Sequence, residues 1–142
     1  MATRTRTTII ISLCILITLN CCSCSGKVNT AKSKIVKSQI YSQEEITDAI
    51  EVVKECFKDF EWCKLTEIYY AGDKESKLEQ KYYASNDSED LIVVYSSFDV
   101  GWLYKIFYPG YPLGEFKHHT NYKWILLRKN GDPWNVIAQG YC

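Results

Sequence analysis

The sequence predicts an α+β domain in which an antiparallel sheet packs against an N-terminal amphipathic helix. Three observations support this prediction: a capped helix with one apolar face, a β-branched and aromatic run near the middle of the chain, and a hairpin at its end. In chain order the expected elements are α-β-α-β-β-β, and the last three strands are expected to form an antiparallel meander. Helices that cover one face of such a sheet are typical of α+β domains.

The first helix is predicted from about Gln43 to Phe60. Ser42 and Glu45 have the spacing of a capping box, in which each side chain accepts a hydrogen bond from the other residue's backbone N–H. Apolar residues recur at intervals of three and four along one face, namely Ile46, Ala49, Ile50, Val53, Phe57 and Phe60. This periodicity predicts a helix with one face on the sheet and the other in water.

Four strands are predicted, at Leu65–Tyr70, Leu91–Val100, Tyr122–Arg128 and Trp134–Gly140. The second is rich in β-branched and aromatic residues, which favours a buried position. A polar helix capped by Asp73 is expected from Lys74 to about Ala84. The segment Gly101–Lys117 contains the turn-forming runs Pro109-Gly110 and Pro112-Leu113-Gly114 and gives no clear pattern.

The last two strands are joined by the strongest turn signal in the chain. Asn130-Gly131 supplies the positive φ angles that a tight hairpin needs, and Pro133 is suited only to the start or edge of a strand. We therefore expect a closing β-hairpin.

The first 25 residues have the layout of an export signal. Arg4 and Arg6 precede the apolar run Thr7–Leu19, which is shorter than a membrane-spanning helix. Cysteines follow directly, and this layout resembles that of bacterial lipoproteins, in which one such cysteine carries the lipid. The lipidation candidates are Cys22, Cys24 and Cys21. We expect a lipoprotein on the outer face of the cytoplasmic membrane, with secretion or an anchor without lipid as the alternatives.

Residues 26–39 are rich in Lys, Ser, Thr and Asn and are predicted to be a polar tether, followed by a single domain over 40–142. Without Arg4 and Arg6, 15 basic residues stand against 17 acidic ones. A net charge of −2 argues against a nucleic-acid partner and against an electrostatic membrane-binding face.

No motif for a metal or another cofactor is present in the predicted domain. The only histidines, His118 and His119, are neighbours and point to opposite sides of an extended chain, so one metal cannot readily bind both. We expect them at the surface, with a role as ligand or general base as the alternative. Cys56 and Cys63 form a possible disulfide, and two buried thiols are the alternative.

Eleven Tyr and four Trp in 142 residues suit either an aromatic core or an aromatic pocket. As candidates for a ligand pocket we select Tyr95, Asp99, Trp124 and Arg128. Asp99 and Arg128 each end a strand, and on adjacent strands they are expected to face one another at a pocket mouth. The alternative is a surface ion pair of little energetic weight.

The helix opening YSQEEITDAIEVVKECF, the strand CKLTEIYY and the close YKWILLRKNGDPWNVIAQGY resemble a family of exported Gram-positive bacterial domains, number 4829 among the domains of unknown function. That family is similar to the nuclear-transport-factor-2-like superfamily. The resemblance covers about Ile40 to Tyr141. It implies a cone-shaped, cystatin-like fold, with a curved sheet around the first helix and a cavity between them. It implies no activity, although superfamily enzymes use an Asp or a His-Asp pair in this cavity.

We therefore expect an exported, lipid-anchored, non-catalytic domain that binds a small molecule, a peptide or a protein at the cell envelope. One alternative is a small hydrolase or isomerase that uses Asp99 or a histidine in the cavity. Another is a structural envelope protein that forms homodimers.

Overall fold

The computed structural model of the protein describes residues 25–34, 36–85, 88–114 and 117–141. Residues 1–24 of the predicted export signal lie outside the described residues, and so do the lipidation candidates Cys21, Cys22 and Cys24. Among the described residues, no helix is long and apolar enough to cross a membrane.

Five strands, three helices and one short 3-10 turn make up the described chain. They are β1 (Lys32–Lys34), α1 (Gln43–Phe57), β2 (Cys63–Tyr70), α2 (Asp73–Tyr83), β3 (Glu89–Val100), α3 (Trp102–Phe107), the 3-10 turn (Pro112–Gly114), β4 (His118–Lys129) and β5 (Asn135–Gly140). The strands form one open sheet in the order β1-β2-β3-β4-β5. β1 pairs parallel with β2, and every other neighbouring pair is antiparallel.

The predicted α+β class is confirmed, whereas the predicted element order lacks two elements. β1 has only three residues, all of them exposed and polar, so it carries no alternation that sequence reasoning can detect. α3 has six residues, which is too short for a helical period to stand out. Because β1 is parallel to β2, the sheet is mixed and not purely antiparallel.

The amphipathic pattern of α1 positions it on one face of the sheet. Its capping box is confirmed: the Ser42 N–H donates to Glu45 Oε2 at 2.8 Å, and the Glu45 N–H donates to Ser42 Oγ at 3.2 Å. The helix ends at Phe57, three residues before the predicted end, where the Lys58 N–H bonds to the carbonyls of Cys56 and Glu55. The largest buried side chains on this face include Phe57, Leu65, Ile68, Tyr70, Phe98, Trp124 and Leu126.

α2 is polar, and it forms salt bridges with a residue on the face of the sheet opposite α1. Lys123 of β4, only 8% exposed, pairs with Glu79 at 2.7 Å and Glu75 at 2.9 Å. Burial alone would lower the pKa of Lys123, but hydrogen bonds to Glu79 and Glu75 outweigh it and raise that pKa. Asp73 does not cap this helix as predicted: its carboxylate accepts from Ser38 Oγ at 2.5 Å and from the Gln39 N–H at 2.9 Å.

The closing hairpin is confirmed. Asn130 and Gly131 have φ angles of 49° and 81°, and the Asp132 N–H donates to the Lys129 carbonyl at 2.8 Å. These positive angles are those of the primed turns that match the twist of two antiparallel strands.

Residues predicted to be a polar tether instead pack on the domain. The Gly26 N–H donates to the Lys58 carbonyl at 2.9 Å, and Lys27 exchanges two backbone hydrogen bonds with β2, through the Cys63 carbonyl at 2.9 Å and the Leu65 N–H at 2.8 Å. Gly26 is buried, and a Cβ at this position would lie 2.1 Å from the Phe57 carbonyl oxygen. Only glycine fits this close approach of two backbones. Backbone pairing of this kind leaves no regular pattern of side chains, so the polar composition of residues 26–39 does not reveal it.

Candidate functional site

The four predicted pocket residues do not converge. Trp124 and Arg128 lie on the face that α1 covers, whereas Tyr95 lies on the α2 face and donates to Glu75 at 3.1 Å. Asp99 is paired in register with His118, and Arg128 with Asp90. The expectation that Asp99 and Arg128 face each other is wrong, because antiparallel register places them at opposite ends of the β3–β4 pair.

Trp124 belongs to the packed core and not to a pocket. It is 0% exposed, and its Nε1–H donates to Ser96 Oγ at 2.8 Å. The ring of Phe60 lies 5.5 Å from that of Trp124 and 5.7 Å from that of Tyr122. Aromatic rings therefore fill the space between α1 and the sheet where the sequence suggested a cavity.

Arg128 ties β4 to the beginning of α1. Its Nη2 pairs with Glu45, its Nε donates to Asp90 at 3.0 Å, and its guanidinium carbon lies 4.3 Å from the ring centre of Trp134. The hydrogen bond from Arg128, followed by that from the Ser42 backbone, lowers the pKa of Glu45 to about 2. The guanidinium group of Arg128 thus contacts two carboxylates and one aromatic ring of the domain itself, so its role is structural.

The two histidines have different environments. Nδ1 of His118 lies 2.6 Å from Oδ1 of Asp99, and both side chains are about half exposed. His119 is buried, stacks on Phe98 at 4.9 Å, and contacts the Tyr141 hydroxyl and the Leu113 carbonyl. The expected surface position holds for His118 but not for His119, because a bulge at Asn121 and the ring of Phe98 turn His119 into the core.

Cys56 and Cys63 are not joined in a disulfide; both are free thiols. Cys56 is half-buried on α1 beside β5, whereas Cys63 is buried at the beginning of β2. Burial raises the pKa of the Cys63 thiol to about 12, so this sulfur is a protonated, poor nucleophile at neutral pH. Burial also raises the pKa of Cys56. Within the described residues, no three His, Cys, Asp or Glu side chains converge as a metal site.

An open cleft of about 580 Å³ lies where β2 begins and β3 ends. Trp62, Trp102 and Leu103 form its apolar part. Its polar part consists of Lys27, Lys64, Lys117 and Asp99. This cleft is the candidate functional site; Asp99 is the one predicted pocket residue that lines it, and Cys63, a residue of the predicted disulfide, lines it as well.

Backbone hydrogen bonds between distant segments hold the walls of the cleft in place. The Val100 N–H donates to the Lys117 carbonyl at 2.9 Å, and the Gly101 N–H donates to the Trp62 carbonyl at 2.7 Å. The ring of Trp62 stacks on that of Phe107 at 5.7 Å. Lys27 enters from the N-terminal segment through its pairing with β2. The cleft is thus built by contacts between parts of the chain that are far apart in sequence.

The charge of the cleft is predominantly positive. Within the described residues, none of Lys27, Lys64 and Lys117 has an acidic side chain within ion-pair distance, whereas Asp99 is already bonded to His118. A neighbouring cleft of about 600 Å³ is also lined by Lys27 and Lys64, together with Lys58, whose ammonium group is paired with Glu55 at 2.6 Å. Such an arrangement favours anions.

Sequence reasoning missed most of this site. Lys27 lies in the predicted tether, and Trp102 and Lys117 lie at the two ends of the segment that gave no pattern. The only available signal was the density of aromatic residues between Trp102 and Tyr111, and this density does not distinguish a short helix from a strand or a turn.

Comparisons of this chain with protein-family models, with curated proteins and with solved structures find no match.

Proposed function

We propose that this protein is an exported binding domain, attached to the outer face of the membrane through its N-terminal segment, and that the cleft beside Trp62 binds a small anionic molecule with an aromatic or apolar part. The observation that supports the ligand class is the combination of two tryptophans and three lysines in one cleft of about 580 Å³. Ligand clefts typically measure about 300 to 1,000 Å³ and combine apolar walls with a few polar groups.

Each part of the ligand has a matching chemistry in the cleft. Tryptophan offers a flat apolar surface on which a ring can stack. Because Lys27, Lys64 and Lys117 have no ion-pair partner among the described residues, they attract a carboxylate, phosphate or sulfate without first breaking an ion pair. The exposed position of the cleft suits a ligand that exchanges with solvent.

The attachment is supported by the sequence of residues 1–25, with an apolar run and three cysteines directly before Ser25. The relation to the cone-shaped superfamily is likewise a proposal, supported by a capped helix that packs on an antiparallel meander. In such a domain the ligand site would be the outer cleft, because the interior is filled by Trp124 and its aromatic neighbours.

Calorimetric titration with 1-naphthyl phosphate tests the ligand class. The protein is purified from membranes and held in lipid nanodiscs, and empty nanodiscs supply the blank. We expect saturable binding that is weaker for uncharged 1-naphthol. Lys64→Gln should raise the Kd about twofold to fivefold, as expected for one partly exposed charge. Lys81→Gln, an exposed lysine on α2, is the matched control and should leave the Kd unchanged.

Two results would contradict the proposed ligand class. One is equal binding of the phosphate and the uncharged alcohol. The other is an equal effect of the Lys64 and Lys81 substitutions, which would mean that the bound anion senses only the overall charge of the protein.

A further inference from the structure

Exposed apolar side chains are concentrated on and just after α3. Of the eleven large hydrophobic side chains that are exposed among the described residues, four lie within ten positions, and we call them the α3 patch: Trp102, Ile106, Phe107 and Tyr111. Trp102 is 72% exposed. Clusters of exposed aromatic and aliphatic residues are uncommon on soluble surfaces and mark sites of interaction.

The local structure explains why this patch faces outward. α3 is held to the domain by Tyr104, which is buried and lies 4.9 Å from the ring of Tyr108. Trp102 and Ile106 are four residues apart and Lys105 lies between them, so these three side chains share the face opposite Tyr104. The helix is thus anchored by one face while its apolar side meets solvent.

The N-terminal segment enters the domain at the cleft that Trp102 of the α3 patch borders. Ser25, the first described residue, donates its hydroxyl to the Lys58 carbonyl at 3.1 Å and lines the same cleft as Trp102. Cys24 directly precedes Ser25 in the sequence, and Cys21 is only four residues away. A fully extended chain spans at most roughly 14 Å over four residues. An attachment point at these cysteines would therefore hold the domain close to the bilayer, with the α3 patch near the lipid.

The charges around the patch complement an anionic lipid surface. Lys27, Lys64 and Lys117 line the cleft that Trp102 borders, and Lys105 lies on α3 itself. Asp99 lies in the same cleft but is bonded to His118, whereas Asp59 and Glu61 lie beside Tyr111, so the positive charge is concentrated at the Trp102 end of the patch. Trp and Tyr prefer the membrane interface, and lysines extend their amines toward the headgroups. Without Arg4 and Arg6 the chain carries a net charge of −2, and this value conceals the local excess because α1 alone carries five acidic residues and one lysine.

We propose that the α3 patch is a membrane-docking surface that inserts into the interface of an anionic lipid bilayer, so that the cleft opens at the membrane surface. The inference rests on the proposed N-terminal attachment, but not on the proposed cleft ligand. A docked patch would fix the orientation of the domain on the membrane, which an N-terminal anchor alone does not do.

Tryptophan emission provides a direct test, because residues 1–24 contain no Trp. The chain recovered from membranes is reconstituted into vesicles of phosphatidylglycerol and phosphatidylcholine with brominated acyl chains, which quench indoles at the interface. Trp124 and Trp134 are buried and Trp62 is half-buried against Phe107, whereas Trp102 is 72% exposed, so lipid quenching should report mainly Trp102. We expect Trp102→Phe to remove about half or more of the quenchable emission, whereas Trp134→Phe should retain it.

A second variant keeps every tryptophan in place. Ile106→Glu puts a negative charge on the docking face and should reduce the quenching of Trp102, as should vesicles of phosphatidylcholine alone. Ile137→Glu changes an exposed residue of β5 and is the matched control. Undiminished quenching in the Ile106 variant would overturn the docking face, and equal quenching in neutral vesicles would overturn its preference for anionic lipid.

Flotation of the same vesicles separates the possible failures. If the chain floats with the vesicles but brominated lipids leave its emission unchanged, the docking face is overturned and the attachment stands. A chain that does not float overturns both. If lipids do not quench the emission and the protein is a dimer that the Ile106 substitution dissociates, the patch is a contact between two copies. This result would also overturn the proposal.

Discussion

Glu45 and Arg128 form an ion pair that joins the first turn of α1 to the end of β4, 83 residues later in the chain. Glu45 also accepts the capping hydrogen bond from the Ser42 backbone, so one carboxylate both begins the helix and fixes it on the sheet. This contact connects the two parts of the fold that the sequence predicts most clearly.

The first prediction concerns the stability of this junction. Arg128→Met should lower the free energy of unfolding by about 1–3 kcal/mol, because it removes charge-assisted hydrogen bonds and leaves Glu45 and Asp90 unpaired. Urea unfolding followed by circular dichroism measures the change. Lys81→Met, at an exposed position of α2, should be nearly neutral. An equal loss in both variants would show that the ion pair contributes nothing specific.

The same pair predicts a pH dependence. The pKa of Glu45 is lowered from 4.5 to about 2 in the folded protein, so the pair contributes fully above about pH 4.5. This contribution is lost as the pH falls from about 4.5 toward 2, because the unfolded chain binds the proton more readily. Over that window the wild-type protein should lose more stability than Arg128→Met. Parallel curves for the two proteins would contradict the assignment.

A third prediction concerns the N-terminal segment. Gly26→Ala places a Cβ 2.1 Å from the Phe57 carbonyl oxygen, so the segment must move away from the domain. Trypsin should then cut after Lys27, Lys32 and Lys34 about tenfold faster, which corresponds to about 1.4 kcal/mol in the opening equilibrium.

Mass spectrometry of the tryptic fragments measures these rates, and Ser33→Ala, at an exposed position of β1, is the control. If wild-type protein is cut at these lysines as fast as the Gly26 variant, the segment is the flexible tether that its composition suggested.

The cysteines give a fourth prediction. Trypsin separates Cys56 and Cys63, since Lys58 lies between them. Without reduction, the two fragments should be recovered unlinked. Iodoacetamide should modify Cys63 only after denaturation, because burial raises the pKa of this thiol to about 12. A linked pair of fragments from unreduced protein would restore the disulfide hypothesis.

The elements that the sequence predicts well are those that carry a local code. Ser42 and Glu45 mark the beginning of α1, and Asn130-Gly131 marks the hairpin, because capping and turn geometry depend on residues within a few positions. The α+β class follows from these elements and from the apolar run of β3.

The candidate site was less predictable because long-range contacts build it. The cleft needs Lys27 beside β2, Trp62 against Phe107, and Lys117 hydrogen-bonded to Val100. None of these pairs has a spacing that periodicity can reveal. Antiparallel pairing places Asp99 and Arg128 at opposite ends of β3 and β4, and the one-residue register shift between Ser96 and Phe98 then pairs Asp99 with His118.

The intact mass of the protein taken from membranes of a Gram-positive host tests the central claim, that this domain is held at the outer membrane surface by the residues directly before Ser25. We predict a chain that begins at Cys21, Cys22 or Cys24 and carries a diacylglyceryl increment. A chain without lipid that begins after Gly26 would contradict the claim, since the protein would then be free of the membrane and would lack the residue that packs against Phe57 and Lys58.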